Sequence, residues 1–318
     1  MRLGTALAET SGVEESWGLH RGDDIDETLV VIDALGGGTR YEVYRAWDRT
    51  LFCEVAVKAL RPSRLPDHYA LGGFEREVAI ARRLLHPNLV RYLRWRPGPP
   101  RPYFVMEFIR AQTLEDHLNE HDDVSVPEIC LLGVRMCSAL HYLHSQSVIH
   151  LDVKPENLTM GDPPRLLDLS LARLAPGPTE LGGEIGTSAY MAPEQCLAGR
   201  VTPATDLFGL GVTLYEGLTG MRPYSAGVEE STVPAERYPQ LVEEPEPLRA
   251  RFPELPRSLD QAIMACLERD PAKRPASAIE IAIALEGVLE EFHIDELLAW
   301  PRALPVRPRA SLTPVATF

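Results

Sequence analysis

The chain has 318 residues, 45% hydrophobic and 25% charged, which excludes wholesale disorder and leaves room for one bilobal fold or two modest domains. Its 32 basic and 46 acidic residues give a net charge of −14, which argues against nucleic acid or an anionic membrane as the main partner. Among the basic residues only Lys58, Lys154 and Lys273 are lysine, so a lysine here marks a place where arginine is not equivalent.

Residues 1–27 read as a flexible acidic lead without the apolar core of a secretory signal. From Thr28 the runs TLVVIDALGGG, YEVYRAW and FCEVAVKAL are rich in Val, Ile, Tyr and Phe and predict an antiparallel meander. Residues 72–85 switch to helical spacing, with Phe74, Val78, Ala81 and Leu85 on one face. Strands are expected over Leu89–Trp95 and Tyr103–Ile109, separated by the proline-rich turn RPGPPRP. Beyond Thr113 the pattern turns helical over Thr113–Asn119, Pro127–Ser145, Thr205–Thr219, Ser258–Glu268 and Ala276–His293, with one short strand at Arg165–Leu167. Residues 297–318 form a proline-punctuated tail. A β-rich first third with one helix, followed by a helical remainder, predicts a two-lobed α+β fold.

The net charge is peripheral, since residues 1–30, 226–247 and 286–296 carry −5 each and everything else is near neutral. Five cysteines without a CxxC read as free thiols, with Cys130 and Cys137 buried on one helix face. The longest uncharged apolar stretch, Leu207–Tyr215, is about half a membrane span. The expectation is a reduced, cytoplasmic protein with no membrane span.

Five motifs carry chemistry. Leu35-Gly36-Gly37-Gly38-Thr39-Arg40-Tyr41-Glu42-Val43 lies between two strands, where glycines let the backbone approach phosphates, although alone it is also an ordinary hairpin turn. In Val55-Ala56-Val57-Lys58 an inward lysine needs a carboxylate partner, and Glu77 on the following helix supplies one. His150-Leu151-Asp152-Val153-Lys154-Pro155-Glu156-Asn157 puts a base, a cation and an amide on one loop, and Asp168-Leu169-Ser170 and Ala192-Pro193-Glu194 follow.

In that order the motifs resemble those of Ser/Thr protein kinases, especially the eukaryotic-like kinases of bacteria. His86-Pro87-Asn88, Tyr190-Met191, Asp206 at the head of an apolar helix, and Arg269-Asp270-Pro271-Ala272-Lys273-Arg274-Pro275 extend the likeness. It covers residues 28–296 and implies a bilobal protein-kinase fold, with a small β-rich lobe over 28–109 and a larger helical lobe over 110–296. The resemblance implies that Mg·ATP donates its γ-phosphoryl group to Ser/Thr hydroxyls of protein substrates. It implies Asp152 as catalytic base, Lys154 beside the γ-phosphoryl, Lys58 on the α- and β-phosphates and paired to Glu77, and Asn157 and Asp168 as Mg²⁺ ligands. Leu35, Gly36, Gly38, Val43, Ala56, Met106, Glu107 and Ile109 would line the nucleotide site, the last two through the hinge backbone. Glu194 and Arg274 would form a buried ion pair, while His150 and Asp206 read as structural polar anchors.

Three positions depart from the pattern. Tyr41 replaces the third loop glycine and is expected to stiffen the loop tip. Leu151 replaces the arginine that receives an activation-loop phosphate, so activity is expected not to depend on that phosphorylation, for which Thr179 is the one hydroxyl far from both anchors. Leu169-Ser170 stands where Phe-Gly is usual, at a cost in backbone freedom. These departures are the grounds for the alternative, a nucleotide-binding pseudokinase acting as a scaffold; a kinase-fold enzyme acting on small molecules is a third reading. Against decay stands the lysine count: random placement of three lysines over 32 basic positions would fill both Lys58 and Lys154 less than about 1% of the time.

Overall fold

A computed structural model of the chain describes residues 15–121, 124–175 and 186–292. Its first part is an antiparallel sheet of β1 (Asp24–Asp26), β2 (Leu29–Gly37), β3 (Tyr41–Asp48), β4 (Cys53–Leu60), β5 (Tyr92–Arg96) and β6 (Tyr103–Glu107) in the order β1-β2-β3-β4-β6-β5. Helix α1 (His68–Ala81) covers one face. Strand periodicity divides β4 cleanly: Val55, Val57 and Ala59 join an outer apolar layer, while Ala56, Lys58 and Leu60 face α1 and the cleft. Lys58 is thereby the one buried charge on the inner row of its strand, which carries the half-buried Glu54 at its start.

Several boundaries shift from the sequence expectation. The sheet begins before Thr28, because β1 pairs with β2 and the segment ahead of it is anchored by Trp17. Trp17 donates its indole N–H to the Leu60 carbonyl at 2.7 Å, packs with Leu19 on the outer layer, and lies 4.3 Å from the Arg101 guanidinium. Helix α1 runs over 68–81 rather than 72–85, because the Asp67 carboxylate accepts the Tyr69 and Ala70 N–H groups and caps it early. Leu85 consequently falls past the helix and is 70% exposed instead of facing the core. The strand expected from Leu89 starts at Tyr92, that expected to Ile109 ends at Glu107, and Arg165–Leu167 contributes only isolated bridges from Leu166 to Leu89 and Leu158.

The remainder is helical around α2 (Leu114–Glu120), α3 (Val126–Ser145), the short β7 (Val148–Ile149) and β8 (Arg173–Leu174) pair, α4 (Pro193–Cys196), α5 (Pro203–Thr219), α6 (Pro234–Arg237), α7 (Leu248–Arg251), α8 (Arg257–Cys266) and α9 (Ala278–Glu291). Thr113 with Asp116 and Ser125 with Glu128 form capping boxes that start α2 and α3. Helix α5 is apolar nearly all round and accordingly buried from Thr205 to Tyr215, with α3 and α8 against it. Cys130 and Cys137 are both buried in α3. Among the described residues no helix is long and apolar enough to cross a membrane.

Candidate active site

Between the sheet and the helical part lies a cleft of about 270 Å³. Leu35, Val43 and Ala56 line it from the sheet, Met106, Glu107 and Ile109 from the end of β6 and the chain beyond it, and Lys58, Asn157 and Asp168 supply its polar groups. Glu107 turns its carboxylate aside, accepting the Arg91 N–H at 2.9 Å and the Arg165 guanidinium at 3.2 Å, which leaves only its backbone for the cleft. Gly36, near the end of β2, and Gly38, in the turn to β3, do not line the cleft wall. Gly36 and Gly37 hold φ of +110° and +147°, and at Gly37, which sequence reasoning passed over, a Cβ would also meet the Tyr41 carbonyl at 2.3 Å. Val90 and Leu167, also on the wall, were missed because their apolar pattern is indistinguishable from core.

Two polar constellations face this space. In the first, the Lys58 ammonium donates to Glu77 Oε1 at 2.9 Å and to Asp168 Oδ1 at 2.6 Å. Burial opposes charge on both partners. It would lower Lys58, but Asp168 and Glu77 push it above the usual lysine range, whereas for Glu77 burial outweighs Lys58 and raises the carboxyl. Asp168 lies deep with one face open, its side chain 36% exposed. Burial alone would raise it, yet Lys58 and the backbone and hydroxyl of Ser170 hold it down to about 2.

The second constellation sits on the loop after β7. Asn157 Nδ2 donates to Asp152 Oδ2 at 3.0 Å and to the Asp152 carbonyl at 2.8 Å, which turns the Asn157 amide oxygen away from Asp152. Lys154 Nζ lies 3.6 Å from Asp152 Oδ2 and 2.6 Å from Glu156; burial would lower it, and Asp152 and Glu156 raise it above its ordinary value. The Thr187 hydroxyl bridges the two, donating to Asp152 Oδ1 at 3.0 Å and accepting from Lys154 at 2.7 Å. Asp206 fixes the loop from beneath by accepting the His150 and Leu151 N–H groups at 2.9 and 2.8 Å and the His144 ring at 2.8 Å. His150 is fully buried, its ring donating to the Leu167 carbonyl at 3.0 Å, so both residues act as the anchors expected.

The three unusual residues find specific places. Tyr41 is no loop-tip residue. It is 6% exposed, its hydroxyl donates to Glu77 Oε2 at 3.3 Å, and its ring centre lies 4.3 Å from the Lys58 ammonium. Leu151 adopts φ +71° and is buried with Ile149 and Val201 against Leu171, Ala175 and Ala198. Ser170 is not in the left-handed region; Asp168 itself holds φ +56°, and the Ser170 N–H donates to its Oδ1 at 2.9 Å. Nearby, Arg173 on β8 is held down to about 10 by burial and by the like charges of Arg76 and Arg40. Thr179 lies outside the described residues.

Farther off, the Glu194 carboxylate accepts both terminal nitrogens of Arg274 at 2.8 Å, the ion pair expected between α4 and the segment ahead of α9. As metal donors the cleft offers the Asp168 carboxylate and the Asn157 amide oxygen. Among the described residues no group of three or more His, Cys, Asp or Glu could hold a metal ion. That donor set suits a hard cation which also keeps water or phosphate oxygens, the habit of Mg²⁺.

Comparison with known proteins agrees with this geometry. The family model described as "Protein kinase domain" matches residues 29–284. The serine/threonine-protein kinase pkn3 of Myxococcus xanthus is 31% identical over 273 residues, which is 81% of this chain and 49% of that protein. The serine/threonine-protein kinase PknB of Mycobacterium tuberculosis is 31% identical over 290 residues, 88% of this chain and 45% of its own length. A probable serine/threonine-protein kinase of Streptomyces coelicolor is 32% identical over 266 residues, 80% of this chain and 39% of that protein. The chain thus spans about half the length of these relatives or less. With the match covering the sheet from β2 onward, the cleft and most of the helical part, the chain belongs to the protein kinase family.

Proposed function

We propose that this chain transfers the γ-phosphoryl group of ATP, with Mg²⁺, to serine or threonine hydroxyls of protein substrates. The observation that carries this reading is the Thr187 hydroxyl, which already lies between Asp152 Oδ1 and Lys154 as an acceptor hydroxyl would. Asp152 takes the proton of the incoming hydroxyl, and the Asn157 amide holds its carboxylate in place. Lys154 sets a positive charge beside the transferring group, and Lys58, kept cationic by Glu77 and Asp168, sets another on the phosphates farther in. Asn157 and Asp168 would hold Mg²⁺, which when bound supplies charge neutralisation at the phosphates. Leu35, Val43, Ala56 and Met106 would enclose the adenine, and the Glu107–Ile109 backbone would pair with it. Gly36 and Gly38 would let the turn close over the phosphates. Free thiols, four of them buried, and ATP as donor fit action in the cytoplasm.

Activity independent of activation-loop phosphorylation belongs to the same reading, because Leu151 ties the segment after Asp168 through apolar contacts to Leu171 and Ala175 rather than offering a cation to a phosphate. The test is label transfer from γ-labelled ATP with Mg²⁺ to a generic basic protein. Asp152→Asn and Lys58→Met should each lower the rate by about 10²–10⁴-fold. A folded wild type that transfers no label, or no more than the two variants, overturns the proposal in favour of a scaffold.

A further inference from the structure

The Glu77 carboxylate is engaged on both oxygens. Oε1 accepts the Lys58 ammonium at 2.9 Å and the Tyr92 hydroxyl at 2.7 Å, and Oε2 accepts the Tyr41 hydroxyl at 3.3 Å. The phenols arrive from β3 and β5 while Glu77 rides on α1, so three elements converge on one side chain. Tyr92 reaches a fourth element, since its oxygen also accepts the Leu169 N–H at 3.4 Å, one residue past Asp168. Phe104 spaces the two rings, meeting Tyr92 edge-on at 5.3 Å and Tyr41 at 6.4 Å, and stacks on Phe74 of α1 at 4.2 Å.

Neither tyrosine lines the cleft; Tyr41 approaches Lys58 from the helix side and leaves the cleft side open. A buried carboxylate needs more than a shared ammonium, and Lys58 divides itself between Glu77 and Asp168. The two hydroxyls supply the remaining bonds. Burial and the Glu77 charge push both phenols above the usual tyrosine range, so both stay protonated donors at neutral pH.

We propose that Tyr41 and Tyr92 are positioning residues for phosphoryl transfer: their hydroxyls clamp the Glu77 carboxylate, which fixes Lys58 at the cleft, and Tyr92 couples the clamp to the Asp168 segment. This rests on the kinase reading of the site. With Leu151 in place of a cation, the clamp provides a restraint on α1 that needs no modification of the chain. Tyr41, a departure from the family pattern, becomes part of the machinery rather than a sign of its decay.

The test is a set of Tyr→Phe variants of the full chain, which keep each ring and remove only the hydroxyl. Tyr92→Phe should lower kcat about tenfold and Tyr41→Phe about threefold, with KM for the protein acceptor unchanged. In a Glu77→Ala background both effects should vanish, in kcat and in affinity for a fluorescent ATP analogue with Mg²⁺, because the hydroxyls act through that carboxylate. Phe variants within about twofold of wild type, or losses that persist without Glu77, overturn the clamp. A wild type that binds the analogue but transfers no label sinks the kinase reading alone, and the clamp is then judged on affinity. Absence of both binding and transfer sinks both.

Discussion

Replacing Glu194 by glutamine tests whether the ion pair to Arg274 holds the helical part together. The Arg274 side chain is fully buried (0% exposed) and Glu194 is 11% exposed, so the pair is desolvated. Removing one partner of such a pair costs about 3–5 kcal/mol, because the other charge stays buried without its counterion. Glutamine keeps the shape of the side chain, and Arg274 keeps the carbonyls of Ala204 and Glu268 at 2.9 and 2.8 Å, which points to the lower end, about 3 kcal/mol. At roughly 2–4 °C per kcal/mol for a domain of this size, Tm should fall by about 6–12 °C. Thermal unfolding followed by far-ultraviolet circular dichroism measures this directly. The double replacement Glu194→Leu with Arg274→Met should recover at least half of the loss, since paired apolar groups need no counterion. A drop below about 2 °C for Glu194→Gln would refute the argument that this pair is structural.

Four further outcomes are expected. Gly37→Ala should cost about 1–3 kcal/mol and raise KM for ATP, whereas Gly38→Ala, with open space at its Cβ, should leave unfolding near wild type. Thr179→Ala should retain activity within about tenfold, equivalent to roughly 1.4 kcal/mol of barrier; a larger loss would mean that a phosphorylated loop finds its grip on Arg40, Arg76 and Arg173. Asp168 is depressed from 3.8 to about 2 in the folded chain, so its contribution to stability is complete above the unfolded value and lost as pH falls through about 2. In Asp168→Asn the acid-side fall in Tm should be shallower over that window. With Cys53 exposed and Cys130, Cys137, Cys196 and Cys266 buried, a thiol reagent should label one cysteine in native protein and five in denaturant.

The lobes, the order of elements and the polar centre were legible because each carries a local signature. Alternation in β4 isolates Lys58, and spacing in the 150–157 loop gathers Asp152, Lys154 and Asn157. The parts that escaped depend on contacts distant in sequence. Tyr41 reads as a stiffened turn until Glu77, 36 residues on, is seen to accept its hydroxyl. Tyr92 gives no signal at all, because an aromatic residue in a strand is ordinary packing. Leu85 fits the helical period of α1, yet the Asp67 cap shifts the helix start and leaves that residue outside. Ser170 was expected to cost backbone freedom, but the left-handed position belongs to Asp168, which only backbone geometry reveals.

The placement of Trp17 has a practical consequence for anyone cutting the chain to a minimal folding unit. A start at Thr28, or at residue 29 where the family match begins, removes the indole that bonds Leu60, the Leu19 side chain and the strand paired to β2. It would bare the outer layer around Tyr44, Val57 and Tyr103 and strip a partner from the buried Glu42, whose carboxylate accepts the Trp17 N–H at 3.2 Å. Such a fragment keeps every polar residue of the cleft but gains a sticky back and an unprotected strand edge, a recipe for inclusion bodies. Expression boundaries should therefore be drawn ahead of Ser16.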